Sequence, residues 1–295
     1  IGLLSGGFRG HPAGTMSVAG LRHLDPKDYS LYFYSTNDQS DDLSKIFHAI
    51  AYQWRSVSLY SNQALADLIR SDEIDILIDM NGPGDGCRYG ALALRPAPLM
   101  VKWVGAQINT TGLSFMDYML SDSIETPPGV DSHYTEKLIR LPDDYICYFP
   151  TSTPSQSSLA AVANGFITFG CLNNPAKINE QLISQWALLM AEVPHSRLLL
   201  RGAQFGEPDF CEDIRSRFST LGVEPSRLLL EGPASHEEFL ATYRRVDIAL
   251  DTWPYSGGLT TCEALLMGVP VVTHVGPTFA GRHSATHLTN AGLPE

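Results

Sequence analysis

The protein has 295 residues, of which 44% are hydrophobic and 18% charged, and its formal net charge is −12. This length predicts about two domains, and the composition is typical of an ordinary globular protein. The acidic balance argues against a broad surface for nucleic acid or for an anionic membrane, although an anionic ligand could bind at a locally prepared site.

The cysteines and the apolar runs narrow the class of protein further. The five cysteines lie far apart without a CxxC pair, which indicates neither a zinc site nor a disulfide framework. We therefore expect a reducing, cytoplasmic location. The sequence contains no signal peptide and no apolar run of about 18 residues, so we expect no contact with a membrane.

The first half of the chain alternates strand-like and helix-like segments. It begins with a strand at Ile1–Ser5, which is followed by a glycine-rich loop and a helix near Thr15–Leu24. Further strands are predicted at Leu31–Tyr34, Ile74–Met80 and Leu99–Val104. Because such alternation is typical of parallel sheets covered by helices, residues 1–155 predict a Rossmann-like domain.

The second half repeats this pattern after a segment that is typical of a linker. Residues 151–165 are uncharged and rich in Ser, Thr, Pro and Ala. The pattern then predicts a second Rossmann-like domain over 164–295. Its strands are predicted at 165–170, 196–202, 226–232, 247–252 and 270–274, and its helices at 180–194, 207–222, 235–246 and 260–267.

Two such domains in tandem predict an α/β fold in which the carboxyl edges of two parallel sheets face a cleft. In open α/β sheets, ligands bind at those edges. The chain begins within a strand and stops without a closing helix. We therefore expect it to be the core of a longer protein, with the second domain truncated.

The stretch "GGLTTCEALLM", from Gly257 onward, places an uncharged loop before a helix with one carboxylate. Gly257 and Gly258 let a ligand approach the backbone closely. The hydroxyls of Thr260 and Thr261 add donors to the free N–H groups of a helix start, which predicts a phosphate site. Glu263, in the first turn, is placed to accept hydrogen bonds from a ribose. The alternative is a threonine N-cap with a glutamate that complements the helix dipole.

The stretch "CLNNPAKIN" follows another strand of the same sheet. Asn173 and Asn174 come directly after the strand, and Lys177 follows three residues later. Such a loop could direct a cation and amides at a pyrophosphate. The alternative is an exposed turn lysine.

Two glycine-rich loops follow strands of the first domain. In "SGGFRGHPAG", His11 could transfer a proton or position an acceptor hydroxyl, and the alternative is a loop histidine without a role. In "DMNGPGDGCRYGALALRPAP", the glycines and Asn81 predict a pocket wall lined by backbone. Arg88 and Arg95 could be partners in structural ion pairs, which we favour for Arg95.

Several motifs are absent from the sequence. It holds no Asp-x-Asp triplet, no cluster with metal-ligand spacing, no G-x-S-x-G elbow and no phosphate-binding G-x-x-x-x-G-K-[ST] loop. We therefore expect no metal site. The charge of a departing diphosphate would be met by the helix start and Lys177.

These residues resemble the catalytic region of the O-GlcNAc transferase and SPINDLY-like glycosyltransferases. The resemblance rests on "GFRGHPAG", "MNGPGDGCRYGALALRPAP", "FMDYMLSD", "YTEKL", "GCLNNPAKIN", "DIALDTWPYSGGLTTCEALLMGVPVVT" and "FAGRHSATHLTNAGL", and covers essentially the whole chain. It implies the GT-B fold and an inverting, metal-independent transfer of N-acetylglucosamine from UDP-GlcNAc to Ser/Thr hydroxyls of proteins. No cofactor beyond the nucleotide sugar is implied, and TPR repeats are expected outside this chain.

The resemblance also implies roles for single residues. His11 matches the histidine that lies over the sugar, and Asn174 and Lys177 match the pair that contacts the diphosphate. His236 and Phe239 fall on the segment that lines the base and ribose. The implied catalytic residues are His11 and Lys177. The implied donor-binding residues are Asn174, Lys177, His236, Phe239, Gly257, Gly258, Thr260, Thr261 and Glu263.

The sequence departs from the family pattern at two loops. The well-studied animal enzymes have a histidine where this chain has Gly258 or Leu259, and their Gly-Thr-Ser-Gly loop corresponds to "INTTG" here. A GDP-fucose donor, or transfer of glucose from UDP-glucose to Asn, is therefore an alternative within the class. A GT-B sugar-nucleotide epimerase and a non-catalytic binding module are alternatives from other classes.

Overall fold

The computed structural model describes residues 1–84, 86–106, 109–152, 155 and 158–294. The chain forms two compact units, Ile1–Thr151 and Ser152–Glu295. The boundary between them falls inside the uncharged segment 151–165. In the part of the chain that the structure describes, no helix is long and apolar enough to cross a membrane.

The first unit is built on a parallel sheet that has seven strands among the described residues. The strands are β1 (Gly2–Ser5), β2 (Tyr32–Ser35), β3 (Gln53–Ser56), β4 (Ile76–Asp79), β5 (Leu99–Lys102), β6 (Tyr118–Asp122) and β7 (Lys137–Leu141). Their order across the sheet is β3-β2-β1-β4-β5-β6-β7. The strand order reverses between β1 and β4, so the loops after these two strands meet at the position where such sheets bind ligands.

Five α-helices of the first unit connect these strands in the described chain. They are α1 (Pro12–Thr15), α2 (Val18–Leu21), α3 (Asp42–Ile50), α4 (Asn62–Ser71) and α5 (Tyr89–Leu92). The prediction of one helix near Thr15–Leu24 is wrong, because the chain forms two short helices there. Ser17, between them, turns its hydroxyl back to the carbonyl of Ala13 at 2.6 Å, a local bond that competes with a continuous helix.

The second unit repeats the same winding around a smaller parallel sheet. Its strands are β8 (Thr168–Cys171), β9 (Arg197–Arg201), β10 (Leu228–Glu231), β11 (Ile248–Leu250) and β12 (Val271–Val272). Its helices are α6 (Ala160–Asn164), α7 (Glu180–Glu192), α8 (Pro208–Thr220), α9 (His236–Thr242), α10 (Leu259–Leu266) and α11 (His283–Asn290). The strand order is β10-β9-β8-β11-β12, so the reversal lies between β8 and β11.

Short 3-10 turns complete the connections in both units. They occupy Asp131–His133, Pro175–Lys177, Ala203–Gly206, Pro225–Arg227, Tyr243–Arg245 and Phe279–Gly281. The turn Pro175–Lys177 directly follows β8, so it lies at the carboxyl edge of the second sheet.

Apolar side chains from strands and helices hold each unit together. In the first unit, Leu4 and Leu77 of the central strands are fully buried against Leu65 and Ile69 of α4. In the second unit, Ile183 and Trp186 of α7 pack with Leu198 of β9. Each sheet is thus anchored by apolar faces, which leaves its carboxyl edge to the polar loops.

Candidate functional site

The loops after β8 and β11 bring most of the predicted donor-binding residues to one edge of the second sheet. The first loop carries Asn173, Asn174 and Lys177, and the second leads from Asp251 through Gly257 into α10. This is the reversal point of the strand order, the expected ligand position for such a sheet.

Lys177 is the cation of this edge. Its Nζ donates to the carbonyl of Ser256 at 2.7 Å and to Oδ1 of Asn173 at 3.3 Å. The ammonium also lies 3.8 Å from the centroid of the Tyr255 ring. Burial lowers the pKa of Lys177 to about 8, against the nearby carboxylate of Asp251, which acts to raise it. The ammonium is therefore poorly solvated, and an anion beside it would be bound strongly.

Asn173 and Asp251 connect the two loops, and Asp251 was not among the predicted site residues. Asn173 Oδ1 accepts from Lys177 and from the Thr260 hydroxyl at 3.1 Å, and its amide lies 3.4 Å from Asp251 Oδ1. Asp251 Oδ1 also accepts from the Gly257 N–H at 2.6 Å, and its Oδ2 from the Thr273 hydroxyl at 2.7 Å. The aspartate immediately after an apolar strand was the available sequence signal for this role.

The start of α10 presents backbone donors. The N-cap is Gly258, which makes no side-chain cap. Among the described residues, the N–H groups of Gly258, Leu259 and Thr260 have no acceptor. A Cβ on Gly257 would lie 2.8 Å from the hydroxyls of Thr260 and Thr261, so a larger residue cannot occupy that position without displacing them. The predicted glycine-lined helix start is present, whereas a threonine N-cap is not.

The two threonines of this helix start differ in orientation. The Thr260 hydroxyl donates to Asn173 Oδ1 at the loop edge and is partly exposed. The Thr261 hydroxyl is buried, where it lies 2.7 Å from the Ser284 hydroxyl and 3.3 Å from the Gly257 carbonyl. Thr261 thus holds the loop from behind, and the hydroxyl available to a ligand is that of Thr260.

Glu263 is a buried carboxylate without a hydrogen bond to any described residue. Its side chain is 3% exposed, and its nearest cation is Nδ1 of His236 at 3.7 Å, which is beyond hydrogen-bond distance. Burial raises the pKa of Glu263 to about 8. Because α10 begins at Leu259, Glu263 lies in the second helical turn. The prediction that it lies in the first turn is wrong. A dipole-complementing role at the helix start is therefore excluded.

The start of α9 completes this edge. His236 is the first residue of α9 after the N-cap Ser235, and its half-exposed ring faces Glu263. Phe239 follows one turn later and meets the Tyr243 ring edge-on, at 6.2 Å between centroids. The Tyr243 hydroxyl in turn donates to the Thr260 carbonyl at 2.9 Å. The aromatic positions and Glu263 are thus connected to the helix start.

Asn174 is exposed, whereas Asn173 is buried between the two loops. The Oδ1 of Asn174 accepts from the Ala176 N–H at 3.0 Å, and Nε2 of Gln204 lies 3.4 Å from the same oxygen. Asn174 thereby caps the turn that carries Lys177. Its Nδ2 group donates to no described residue and remains available to a ligand.

The first unit has a cavity of about 290 Å³ at the reversal point of its own sheet. Loops after the four central strands line this cavity, and they include His11, Arg9 and Asn81. His11 is the N-cap of α1, and its Nδ1 accepts from the Ala13 N–H at 3.2 Å. The proton of a neutral ring then resides on Nε2, which makes that nitrogen the donor of the ring.

Buried polar groups hold the walls of this cavity. Asn81 Oδ1 accepts from the Gly6 N–H at 2.8 Å, and its Nδ2 donates to the Gly86 carbonyl at 2.7 Å. The fully buried Lys102 lies 3.6 Å from the Asp79 carboxylate and also donates to the Gly105 carbonyl. The predicted backbone-lined wall is present, and its support includes a buried ion pair that sequence interpretation missed.

The two arginines of the second glycine-rich loop are structural. Arg95 pairs with Asp117 at 3.0 Å, as predicted. Arg88 donates to the carbonyls of Val57 and Tyr60 at 3.1 and 2.5 Å. Of the stretch "INTTG", residue 108 lies outside the described residues. Glu136 accepts from the Thr110 hydroxyl at 2.7 Å and so anchors the described part of that loop.

Metal-ligand chemistry has no evident place in the described chain. Outside residues 85, 107–108, 153–154, 156–157 and 295, no group of three or more His, Cys, Asp or Glu side chains could hold a metal ion. Whether the chain works without a metal stays a prediction.

Comparison with known proteins gives a consistent result. The model of Glycosyl transferase family 41 matches residues 1–149 and 151–295. The probable UDP-N-acetylglucosamine–peptide N-acetylglucosaminyltransferase SPINDLY of Petunia hybrida is 36% identical, over 99% of this chain and 32% of that protein. The chain thus spans about a third of the length of such curated relatives.

Solved structures agree with this result. A mutant of the Thermobaculum terrenum O-GlcNAc transferase has a TM-score of 0.94 and 39% identity, covering 100% of this chain and 56% of that one. Anabaena HepE in complex with UDP and glucose has a TM-score of 0.52 at 14% identity, over 100% of this chain and 90% of that one, a likeness of fold alone. The predicted α/β fold of GT-B type is confirmed, whereas the cleft between the domains stays a prediction.

Proposed function

The chain belongs to glycosyl transferase family 41, and on this premise we propose that it carries the catalytic region of an enzyme that moves N-acetylglucosamine from UDP-GlcNAc to Ser/Thr hydroxyls of proteins. The observation that carries the proposal is the combination of a desolvated Lys177, bonded to the loop before α10, with a buried Glu263 on α10 that has no hydrogen bond to a described residue. Lys177 suits a diphosphate, and Glu263 suits a ribose.

The diphosphate is bound by the backbone of the helix start. The free N–H groups of Gly258, Leu259 and Thr260 and the positive end of the helix dipole favour phosphate oxygens. Lys177 supplies the cation, and the Nδ2 of Asn174 supplies a further donor. Because these donors are fixed by the fold, they need no reorganisation when the diphosphate leaves with additional charge.

The nucleoside is bound beside them. Glu263 accepts hydrogen bonds from the ribose diol, which gives its buried carboxylate the donors that the described protein does not supply. His236 lies 3.7 Å from Glu263 and contacts the same sugar. Phe239 offers a ring against which a base can stack.

Transfer is a single displacement with inversion at the anomeric carbon. The acceptor hydroxyl oxygen forms a bond to C1 while the bond from C1 to the diphosphate oxygen breaks, and UDP leaves with the electron pair. The hydroxyl proton passes to a phosphate oxygen of the donor. His11 donates a hydrogen bond from Nε2 and positions the substrate, because its Nδ1 is already an acceptor for the Ala13 N–H.

No metal is needed in this mechanism, because the backbone donors and Lys177 meet the leaving-group charge. Donor hydrolysis and transfer should therefore persist in excess EDTA. Loss of activity with chelator and recovery with magnesium or manganese would contradict this part of the proposal.

The donor nucleotide is tested by thermal shift of the protein with UDP, GDP and dTDP. We expect the largest rise in melting temperature with UDP, since a ligand that binds the folded state stabilises it. A larger rise with GDP would indicate the GDP-fucose alternative. Mass spectrometry of an acceptor peptide then distinguishes transfer to Ser/Thr from transfer to Asn. The TPR repeats and the cytoplasmic location belong to the whole protein and stay predictions.

A further inference from the structure

An arginine in the first-unit cavity has no acceptor among the described residues. Arg9 lines this cavity together with His11. Its Nε is buried and makes no hydrogen bond, and no described carboxylate lies within ion-pair distance of its guanidinium. Two other arginines of the first unit have acceptors, Arg88 in carbonyl oxygens and Arg95 in Asp117.

The carboxylates near this cavity already have partners. Asp41 accepts from the Gly10 N–H at 2.6 Å and caps α3. Asp79 accepts from the N–H groups of Asn81 and Gly82 and pairs with Lys102. Asp38 accepts from the hydroxyls of Ser56 and Ser58. None of them neutralises Arg9, so its charge is open to a ligand.

A buried donor without an acceptor destabilises the folded protein, and such groups in folded proteins call for an explanation. A ligand oxyanion would supply the missing acceptor. The planar guanidinium binds a carboxylate or phosphate with two parallel hydrogen bonds. The cavity, at about 290 Å³, is the size of a side chain and not of a nucleotide sugar.

We propose that Arg9 forms a subsite for a substrate oxyanion, namely a carboxylate that flanks the glycosylated hydroxyl in the acceptor. This inference rests on the proposed function, because it assumes that the first unit receives an acceptor. A phosphate oxygen of the donor has the same chemistry and is the other source that the experiment must distinguish.

The test compares Arg9→Gln and Arg9→Lys with wild type on two peptides that differ only by Asp or Asn beside the acceptor serine. We expect wild type to prefer the Asp peptide about tenfold in kcat/KM, and Arg9→Gln to lose that preference through KM. Arg9→Lys should recover it in part, because it keeps the charge but not the paired donors. Arg22→Gln, which removes an exposed cation of the same unit, should behave as wild type.

Calorimetry with UDP distinguishes an acceptor carboxylate from a donor phosphate as the oxyanion that Arg9 binds. If Arg9→Gln binds UDP about tenfold more weakly and its peptide preference is unchanged, the subsite serves the donor phosphate. If Arg9→Gln matches wild type in both measurements while remaining folded, the subsite is overturned.

A nuclear magnetic resonance titration tests the subsite without activity. The Arg9 Nε–H resonance of wild type should shift with the Asp peptide and stay in place with the Asn peptide. A wild type that neither binds UDP nor transfers sugar contradicts the proposed function, whereas a resonance unmoved by UDP and by both peptides contradicts the subsite.

Discussion

The two sheets share the central order 3-2-1-4-5, yet their reversal points carry different chemistry. In the second unit, Lys177, Asp251 and Glu263 bring buried titratable groups to the loops around α10. In the first unit, the same position is a cavity whose lining includes five glycines together with His11 and Arg9. Shared topology therefore sets where a ligand binds, and the loop residues decide which ligand it is.

The second-unit site holds titratable groups whose pKa values are displaced by burial. The pKa of Lys177 is lowered to about 8 and that of Glu263 is raised to about 8, so both groups are held where water solvates them poorly. Such displaced pKa values are typical of functional sites. We infer that the second unit binds the donor and that the first positions the acceptor, and four sets of variants test this division.

The largest effect is expected for Lys177→Met. The substitution removes the cation that meets the leaving diphosphate, so kcat should fall by about 10²–10³-fold. UDP affinity should fall by about 10–150-fold, the loss of a charge-assisted contact of about 1.5–3 kcal/mol. Steady-state kinetics and calorimetry measure the two effects. Uridine affinity should change little, and an equal loss for uridine and UDP would show that Lys177 does not contact phosphate. Lys45→Met, an exposed lysine, is the matched control.

A smaller and opposite pattern is expected for His11. His11→Ala should lower kcat by about 10–100-fold with UDP affinity nearly unchanged, because a donor to the reacting substrates is lost. His11→Gln should recover part of the rate, since an amide can also donate. A general base would instead cost up to about 10⁴-fold without rescue by glutamine. Full turnover of His11→Ala at saturating substrates would remove His11 from the mechanism.

Glu263→Gln should separate binding from stability. UDP affinity should fall by about 5–10-fold, because the amide accepts fewer hydrogen bonds from a ribose. The folded protein should be more stable than wild type by roughly 2–4 kcal/mol near pH 8. Denaturation at several pH values measures this gain, with the exposed Glu237→Gln as control.

The sign of this effect follows from the raised pKa of Glu263. The carboxyl is protonated in the folded state up to about pH 8, whereas in the unfolded chain it ionises near 4.5. Its contribution to stability is therefore fully present below about pH 4.5 and is lost as the pH rises through 8. A stability difference between variant and wild type that is constant from pH 4 to pH 9 would contradict the raised pKa.

The smallest effects distinguish the two threonines. Thr260→Val should weaken UDP binding by about 3–10-fold with little change in stability, since its hydroxyl lies at the loop edge. Thr261→Val should cost about 1 kcal/mol of folding free energy and leave UDP affinity within about threefold, because it removes the contacts of the Thr261 hydroxyl with the Ser284 hydroxyl and the Gly257 carbonyl, which stay bonded to each other at 2.9 Å. If Thr260→Val instead lowered stability and Thr261→Val instead weakened UDP binding, the assignment of the ligand-facing hydroxyl would be wrong.

The sequence predicts the strands of the second unit closely and the helices of the first unit poorly. No element was assigned to residues 42–71, although Asp41 and Ser61 cap the helices α3 and α4. Their caps are readable from residue type, but the partly buried β3 between them has little apolar signal. Strands with several buried apolar residues, such as β9, are recognised from their composition alone.

The candidate site was predictable where single residues stand out within their own loops. Gly258, Lys177 and Glu263 stand out by residue type, and the structure gathers them at one sheet edge. Asn173 and Asp251 act through contacts between loops 78 residues apart in sequence, which no local pattern contains. The inward turn of Thr261 depends on Ser284 of α11, and it could not be inferred from two adjacent threonines.

The most direct test of the division between the two units is the pH dependence of UDP binding in the Glu263→Gln background, where the second ionisation near pH 8 is removed. With the Lys177 pKa at about 8, calorimetry should show constant affinity from pH 7 to 7.5 and a decline that approaches tenfold per pH unit above 8, with proton uptake on binding. Adding Lys177→Met should abolish both the decline and the proton uptake. Affinity that stays constant to pH 9.5, or the same decline without Lys177, would contradict donor binding by the second unit through this lysine.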